Sequence, residues 1–136
     1  MSGLDELGSL VCQQIEERRQ ELVDLCARFV AVPSMNPPGR TKEVADVLQA
    51  FLSAKGIASD RINVDDDASN VFVTLSGKSS GKHVVFNAHM DTMQPGNEAA
   101  WTVPTLELTR KDGKLYGLGM GKGRSRSYGA GDGHPV

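Results

Sequence analysis

The residues with the clearest chemical potential are His89 and Asp91, which stand two apart in the stretch FNAHMDTMQPGNEAAW (residues 86–101). Residues two apart on an extended chain point to the same side. A neutral imidazole is a good zinc ligand, and a nearby carboxylate can orient it or hold a proton. Taken alone, such a pair is more often a turn or a cap than a metal site, so the flanking sequence has to decide.

Two helices are predicted upstream of this pair. Apolar residues recur at helical spacing over residues 7–30, with charged residues on the other face, and a second helix is expected over residues 41–55, ending at Gly56. Between the two helices lies PSMNPPG (residues 33–39), which we call the proline loop. Its three prolines forbid a helix and give a stiff connection.

The second half of the chain changes to strand-like patterns. Residues 70–75 (NVFVTL) and 83–86 (HVVF) are rich in β-branched and aromatic residues, and the second run is expected to be a strand covered on both faces. Residues 105–109 and 114–116 predict a hairpin, because the Asp-Gly in RKDG between them is a strong turn signal. Helices followed by such strands predict an α/β fold with a helix-covered mixed sheet.

Composition narrows the class of protein. The chain has 136 residues, enough for one domain with a core, and a formal charge of -2, which implies no nucleic-acid partner. No apolar stretch approaches the ~20 residues of a membrane span, so no membrane partner is expected. Cys12 and Cys26, if they share one helix, lie ~21 Å apart, too far for a disulfide. They are predicted to be core thiols of a cytoplasmic protein.

The last residues, GKGRSRSYGAGDGHPV (121–136), carry almost nothing apolar. Such a segment cannot offset its ordering entropy by burial, so a disordered tail is expected. Its glycines and cations could suggest a nucleotide-binding loop, but the spacing is wrong. Tyr116 and Lys122 occupy positions where the two phosphate-binding patterns need glycine.

The order of several motifs identifies a resemblance. The proline loop, Asn70-Val71, VFNAHMDT (85–92), Pro95-Gly96 and Trp101, and DGKLYGLG (112–119) together resemble the zinc-dependent peptidase and deacylase family. This family contains acetylornithine deacetylase, succinyl-diaminopimelate desuccinylase, aminoacylase and glutamate carboxypeptidase. The resemblance covers roughly residues 20–121. It implies that residues 1–120 form the N-terminal part of a three-layer α/β/α zinc-hydrolase domain with a mixed sheet, incomplete in this chain.

The resemblance also implies a function. The family hydrolyses the amide bond of an N-acyl amino acid or small peptide by attack of a metal-bound hydroxide. His89 matches a zinc ligand of the family, and Asp91 matches the catalytic carboxylate that orients and tunes this histidine. Zinc is the expected metal, with cobalt or manganese as substitutes, and the full-length family carries two metals. Residues 93–96 and Trp101 are expected only to shape the loop that leads away from the site.

The chain departs from the family after Gly121. The family continues with Asp or Asn, one residue, and Lys-Gly, followed later by a Glu-Glu pair, whereas this chain reads KGRSRS (122–127). Asp132 and His134 are suitable ligand types, but they stand in the glycine-rich tail. A second prediction is therefore a truncated or frameshifted, catalytically inactive fragment of such an enzyme. The sequence leaves the substrate and the oligomeric state open.

Overall fold

The computed structural model describes residues 3–121. The predicted disordered tail, with Asp132 and His134, lies outside these residues except for Gly121. The helices are α1 (Gly3–Glu17), α2 (Arg19–Val30) and α3 (Lys42–Ala54), with a short 3₁₀ helix at Glu98–Ala100. The strands are β1 (Met35–Asn36), β2 (Asp60–Asn63), β3 (Ser69–Phe72), β4 (Thr92–Met93), β5 (Thr109–Lys111) and β6 (Lys114–Tyr116).

The predicted first helix is divided in two at Arg18. This residue leaves helical geometry (φ -102°, ψ 8°), and its N–H donates to the carbonyl of Ile15 in a tightened turn. The two parts differ in packing. The apolar residues of α1 are 49–62% exposed (Leu7, Leu10, Val11 and Ile15), whereas α2 carries much of the core. Cys26 is buried as predicted, but Cys12 on α1 is exposed, so its prediction as a core thiol was wrong.

Helix α2 packs on two sides. Leu25 and Phe29 form one cluster with Val44 of α3, and partly buried side chains of α3 pack around it. Cys26 and Val30 form a second cluster with Met120, and Leu108 and Leu115 pack against this cluster. Leu108, Leu115 and Met120 all lie in residues 105–120, which we call the hairpin region. The core of the described chain therefore lies around α2, with α3 on one side and the hairpin region on the other.

Helix α3 ends as predicted. Gly56 adopts a positive φ of 70°, and its N–H donates to the carbonyl of Ser53. The N–H of Ile57 donates to the carbonyl of Leu52. These two bonds form the Schellman motif that glycine favours after a helix. At the other end, the hydroxyl of Thr41 bonds both the N–H and the carbonyl of Ser69, which ties the start of α3 to β3.

The strands form three separate two-stranded sheets. β1 pairs in parallel with β4, and the other two pairs, β2 with β3 and β5 with β6, are antiparallel. Helices with strand pairs of both kinds agree with the α/β class. The single mixed sheet expected of a three-layer domain is not formed within residues 3–121.

The predicted hairpin is present with a shorter first strand. It begins at Thr109 rather than at residue 105, and Thr109 pairs with Tyr116. Asp112 and Gly113 both have positive φ (52° and 72°), as a two-residue type I′ turn requires. The predicted strand at residues 70–75 is only partly present, because β3 ends at Phe72 and residues 73–75 form no strand. Strand β2, which pairs with β3, was missed.

The predicted strand at residues 83–86 was wrong. The segment is assigned no strand, and Val84, Val85 and Phe86 are 75%, 86% and 93% exposed. A strand needs hydrogen bonds from a neighbour, and within residues 3–121 no strand pairs with this segment. β-branched composition alone therefore did not decide its structure.

Within the described residues, no helix is both long enough and apolar enough to cross a membrane.

Gly117 tests the packing between α2 and the hairpin region. A Cβ at this buried position would lie 2.8 Å from Cγ1 of the fully buried Val30. We expect Gly117→Ala to lower the free energy of unfolding by about 1–3 kcal/mol through overpacking. The control is Gly8→Ala on exposed α1, where a Cβ meets nothing within 4 Å and should stabilise by roughly 0.5–1 kcal/mol. Urea unfolding measures both, and equal effects would contradict the packing described.

Candidate functional site

The segment that carries His89 and Asp91 is fixed by the residues between and after them. Met90 packs against the cluster of Leu25, Phe29 and Val44. Thr92 is buried, and its N–H donates to the carbonyl of Ser34 at 3.0 Å. The core therefore holds the backbone of this segment.

His89 and Asp91 lie in direct contact. Nδ1 of His89 is 3.0 Å from Oδ1 of Asp91 and 2.9 Å from the backbone carbonyl oxygen of the same residue. Both partners are acceptors, so Nδ1 carries the proton and donates. In the neutral ring Nε2 is then the nitrogen with a free lone pair. The side chain of His89 is 57% exposed and that of Asp91 is 27% exposed.

Asp91 is held from a second direction by the proline loop. Nδ2 of Asn36 donates to Oδ2 of Asp91 at 2.9 Å, so the two carboxylate oxygens have different donors. Burial raises the pKa of the Asp91 carboxyl, but the hydrogen bonds from Asn36 and His89, together with the attraction of His89, outweigh it. The pKa therefore lies below its ordinary value of 3.8. Asp91 is an anionic acceptor at neutral pH.

Three further contacts hold the proline loop against residues 89–94, which we call the site segment. The hydroxyl of Ser34, a buried residue, donates to the carbonyl of Met90 at 3.2 Å. Strand β1 pairs with β4 in the register Met35 to Thr92. Nε2 of Gln94 donates to the carbonyl of Pro37 at 2.7 Å. The loop therefore runs beside the whole segment from residue 90 to residue 94.

Sequence reasoning missed Asn36 and Ser34 as members of this site. Asn36 and Asp91 are 55 positions apart, and no spacing rule joins residues so distant. The available signal was the proline loop itself, a polar Asn between prolines in a segment that the resemblance already included.

The loop after the site is closed locally. The indole N–H of Trp101 donates to the carbonyl of Pro95 at 2.9 Å, and the side chain of Asn97 accepts from the N–H of Ala99. Neither bond reaches His89 or Asp91. These contacts agree with a role in shaping the loop.

No group of three or more His, Cys, Asp or Glu side chains in the described part of the chain is arranged to hold a metal ion. His89 and Asp91 are brought together, but no third such side chain from residues 3–121 joins them. The described site is therefore one histidine with its carboxylate.

Comparison with known proteins finds relatives that are named succinyl-diaminopimelate desuccinylase. Over 100 residues the chain is 33% identical to a probable succinyl-diaminopimelate desuccinylase of Staphylococcus epidermidis, covering 74% of this chain and 24% of that protein. Over 95 residues it is 34% identical to the succinyl-diaminopimelate desuccinylase of a Bradyrhizobium strain, covering 67% of this chain and 24% of that protein. A probable succinyl-diaminopimelate desuccinylase of Staphylococcus aureus is 29% identical over 100 residues, covering 74% of this chain and 24% of that protein.

The chain thus spans about a quarter of the length of the curated relatives it matches. No protein-family profile and no solved structure matches it. A match that spans 74% of a 136-residue chain necessarily includes its central residues, and His89 and Asp91 are among these. The similarity therefore extends over the candidate site.

The lowered pKa of Asp91 predicts how stability changes with pH. A carboxyl whose pKa is lower in the folded state stabilises the fold above its unfolded pKa and loses this effect as pH falls through its folded pKa. Asp91→Asn should cost about 0.5–1.5 kcal/mol at neutral pH, because charged hydrogen bonds become neutral or are lost.

Urea unfolding of both proteins between pH 7 and pH 2.5 measures this difference. The difference should be present at pH 5 and should shrink as the pH falls below the ordinary carboxyl pKa of 3.8. A difference that is the same at every pH would show that Asp91 carries no stabilising charge.

Proposed function

We propose that the chain is the N-terminal part of a metal-dependent hydrolase of the peptidase and deacylase family named above. The enzyme would cleave the amide bond of an N-acyl amino acid or small peptide. The observation that carries the proposal is His89, whose Nδ1–H is held by Asp91 while Nε2 is left with a free lone pair. The proteins that resemble this chain are named for removing succinyl from succinyl-diaminopimelate, which supports an N-acyl substrate.

The donor set fits zinc at one position. Histidines that bind metals almost always donate their other ring N–H to a carboxylate, a carbonyl or water, which fixes the tautomer and the ring orientation. His89 has a carboxylate and a carbonyl in this place. The residue would therefore hold zinc through Nε2, with cobalt or manganese as substitutes. When bound, zinc would supply a Lewis acid and lower the pKa of a coordinated water toward ~7.

Asp91 has a separate part in the proposed chemistry. Its Oδ1 holds the imidazole N–H, and its negative charge increases the electron density on the ring that faces the metal. Asp91 is thus a tuning and orienting group in the pair. The low pKa of its carboxyl keeps it charged throughout the neutral range.

A second candidate concerns the 136-residue chain on its own. A catalytic zinc usually takes three protein ligands, and within residues 3–121 no such group is assembled. This observation favours a chain that contributes the His89 and Asp91 corner but has no turnover by itself. Such a chain would be the catalytically inactive fragment that the sequence raised as an alternative.

Zinc titration followed by NMR of ¹⁵N-labelled histidine side chains tests the proposed ligand. We expect Zn²⁺ to shift the Nε2 signal of His89 at a lower concentration than the signals of His83. His89→Gln should remove the tighter site, and the control variant His83→Gln should leave it unchanged. Equal shifts of His83 and His89 at every zinc concentration would contradict a prepared ligand at His89.

Hydrolysis measured beside zinc binding separates the two candidates. N-succinyl and N-acetyl amino acids are incubated with the zinc-loaded chain, and the released amine is quantified. Turnover that requires zinc and is lost in His89→Gln would support an active enzyme. Absence of turnover, with or without zinc at His89, would support the inactive chain, and zinc bound only elsewhere would contradict His89 as the metal ligand.

A further inference from the structure

We propose that Asn36 is a positioning residue for the His89 and Asp91 pair. The inference rests on the proposed function for its purpose, since Nε2 of His89 is the atom that a metal would use. The effect of Asn36 on the orientation of Asp91 and on the tautomer of His89 follows from contacts among the described residues.

The two oxygens of the Asp91 carboxylate accept hydrogen bonds from different donors. Oδ2 accepts from Nδ2 of Asn36 at 2.9 Å, and Oδ1 accepts from Nδ1 of His89 at 3.0 Å. A carboxylate bound at both oxygens loses a hydrogen bond if it rotates. Without Asn36 the Asp91 carboxylate could rotate away from the imidazole. The N–H of His89 would then keep only one of its two acceptors, the backbone carbonyl of Asp91.

The proline loop holds the backbone of Asn36 in place. Asn36 is the second residue of β1 and pairs in register with Met93 of β4. The bond from Ser34 to the carbonyl of Met90 lies on one side of it, and the bond from Gln94 to the carbonyl of Pro37 lies on the other. The backbone at residue 36 is therefore held on both sides, so the amide reaches Asp91 from a fixed base.

Gly39 follows Asn36 in the proline loop. Gly39 has a φ of 81°, and its N–H donates to the carbonyl of Met35 at 2.8 Å, which closes the loop over Asn36. A Cβ at residue 39 would lie 3.4 Å from Cγ and 3.6 Å from Nδ2 of Asn36. The positive φ at Gly39 favours glycine and lets the turn close over Asn36, and a side chain at this position would come into ordinary contact with the Asn36 amide.

The chemical consequence falls on the imidazole. A neutral histidine can carry its proton on either ring nitrogen, and the hydrogen bond made by one nitrogen decides which of them stays free. Asn36 orients Asp91, Asp91 holds Nδ1–H, and Nε2 keeps the free lone pair. Asn36 therefore acts on His89 through Asp91.

The tautomer of His89 in the metal-free 136-residue chain tests the proposal. Long-range ¹H–¹⁵N NMR spectra at pH 8 distinguish Nδ1–H from Nε2–H for each neutral histidine, and His89→Gln assigns the signal. In the wild-type protein the Nδ1–H form should dominate. Asn36→Ala should reduce the ratio of Nδ1–H to Nε2–H by roughly two- to tenfold, the equilibrium weight of one hydrogen bond.

Two further variants make the test specific. Asn36→Asp keeps the shape but replaces the donor with a second carboxylate that repels Asp91, so the ratio should fall at least as far. Asn97→Ala is the matched control, because it also replaces an asparagine and removes one side-chain hydrogen bond, the one that Asn97 accepts from the N–H of Ala99 in the loop after the site. Its ratio should equal that of the wild type, and backbone amide spectra check that all variants are folded.

The outcomes separate this inference from the proposed function. An unchanged ratio in both Asn36 variants, or an equal fall in Asn97→Ala, would overturn the positioning role. A wild-type His89 that is mainly Nε2–H would overturn it as well. Because no metal is present, a fall confined to the Asn36 variants supports the role even if zinc does not bind at His89, and that result would count against the proposed function alone.

Discussion

The two-sided burial of α2 is the constraint on which the rest of the described structure depends. Phe29 and Val30 are adjacent in sequence and are 1% and 0% exposed, yet they belong to different clusters. One cluster joins α2 to α3, and the other joins α2 to the hairpin region. Since most of the stabilisation of a small domain comes from buried apolar surface, loss of either contact would release one side of the fold.

The same helix also sets the position of the candidate site. The proline loop begins three residues after α2 ends, and Val32, on the way to it, packs against the first cluster. Met90 packs against this cluster too, so the loop and the site segment are fixed to a common base. The contact between Asn36 and Asp91 is therefore a consequence of core packing rather than of local sequence.

What could be predicted from the sequence was local. Helical spacing gave α3, its stop at Gly56 follows from the left-handed conformation that glycine adopts, and Asp112-Gly113 gave the type I′ turn. The spacing of His89 and Asp91 gave the pair. Each of these features is decided by residues within a few positions of one another.

The features that were missed depend on distant partners. The continuous apolar pattern is divided at Arg18, and the two parts differ in burial, since α2 packs in the core whereas α1 is largely exposed. Residues 83–86 have strand composition, but no described strand pairs with them. Asn36 could not be assigned to Asp91 across 55 positions without the parallel pairing of β1 with β4. Periodicity in a sequence indicates the local secondary-structure preference of its residues, whereas strand pairing and burial depend on residues elsewhere in the chain.

We propose that His89, oriented by Asp91, binds a metal through Nε2. X-ray diffraction from zinc-soaked crystals, recorded on both sides of the zinc absorption edge, tests this binding most directly. We expect an anomalous peak about 2.0–2.1 Å from Nε2 of His89, with Nδ1 still facing Asp91. Zinc bound elsewhere with none at His89, or an imidazole turned so that Nδ1 faces the metal, would contradict it.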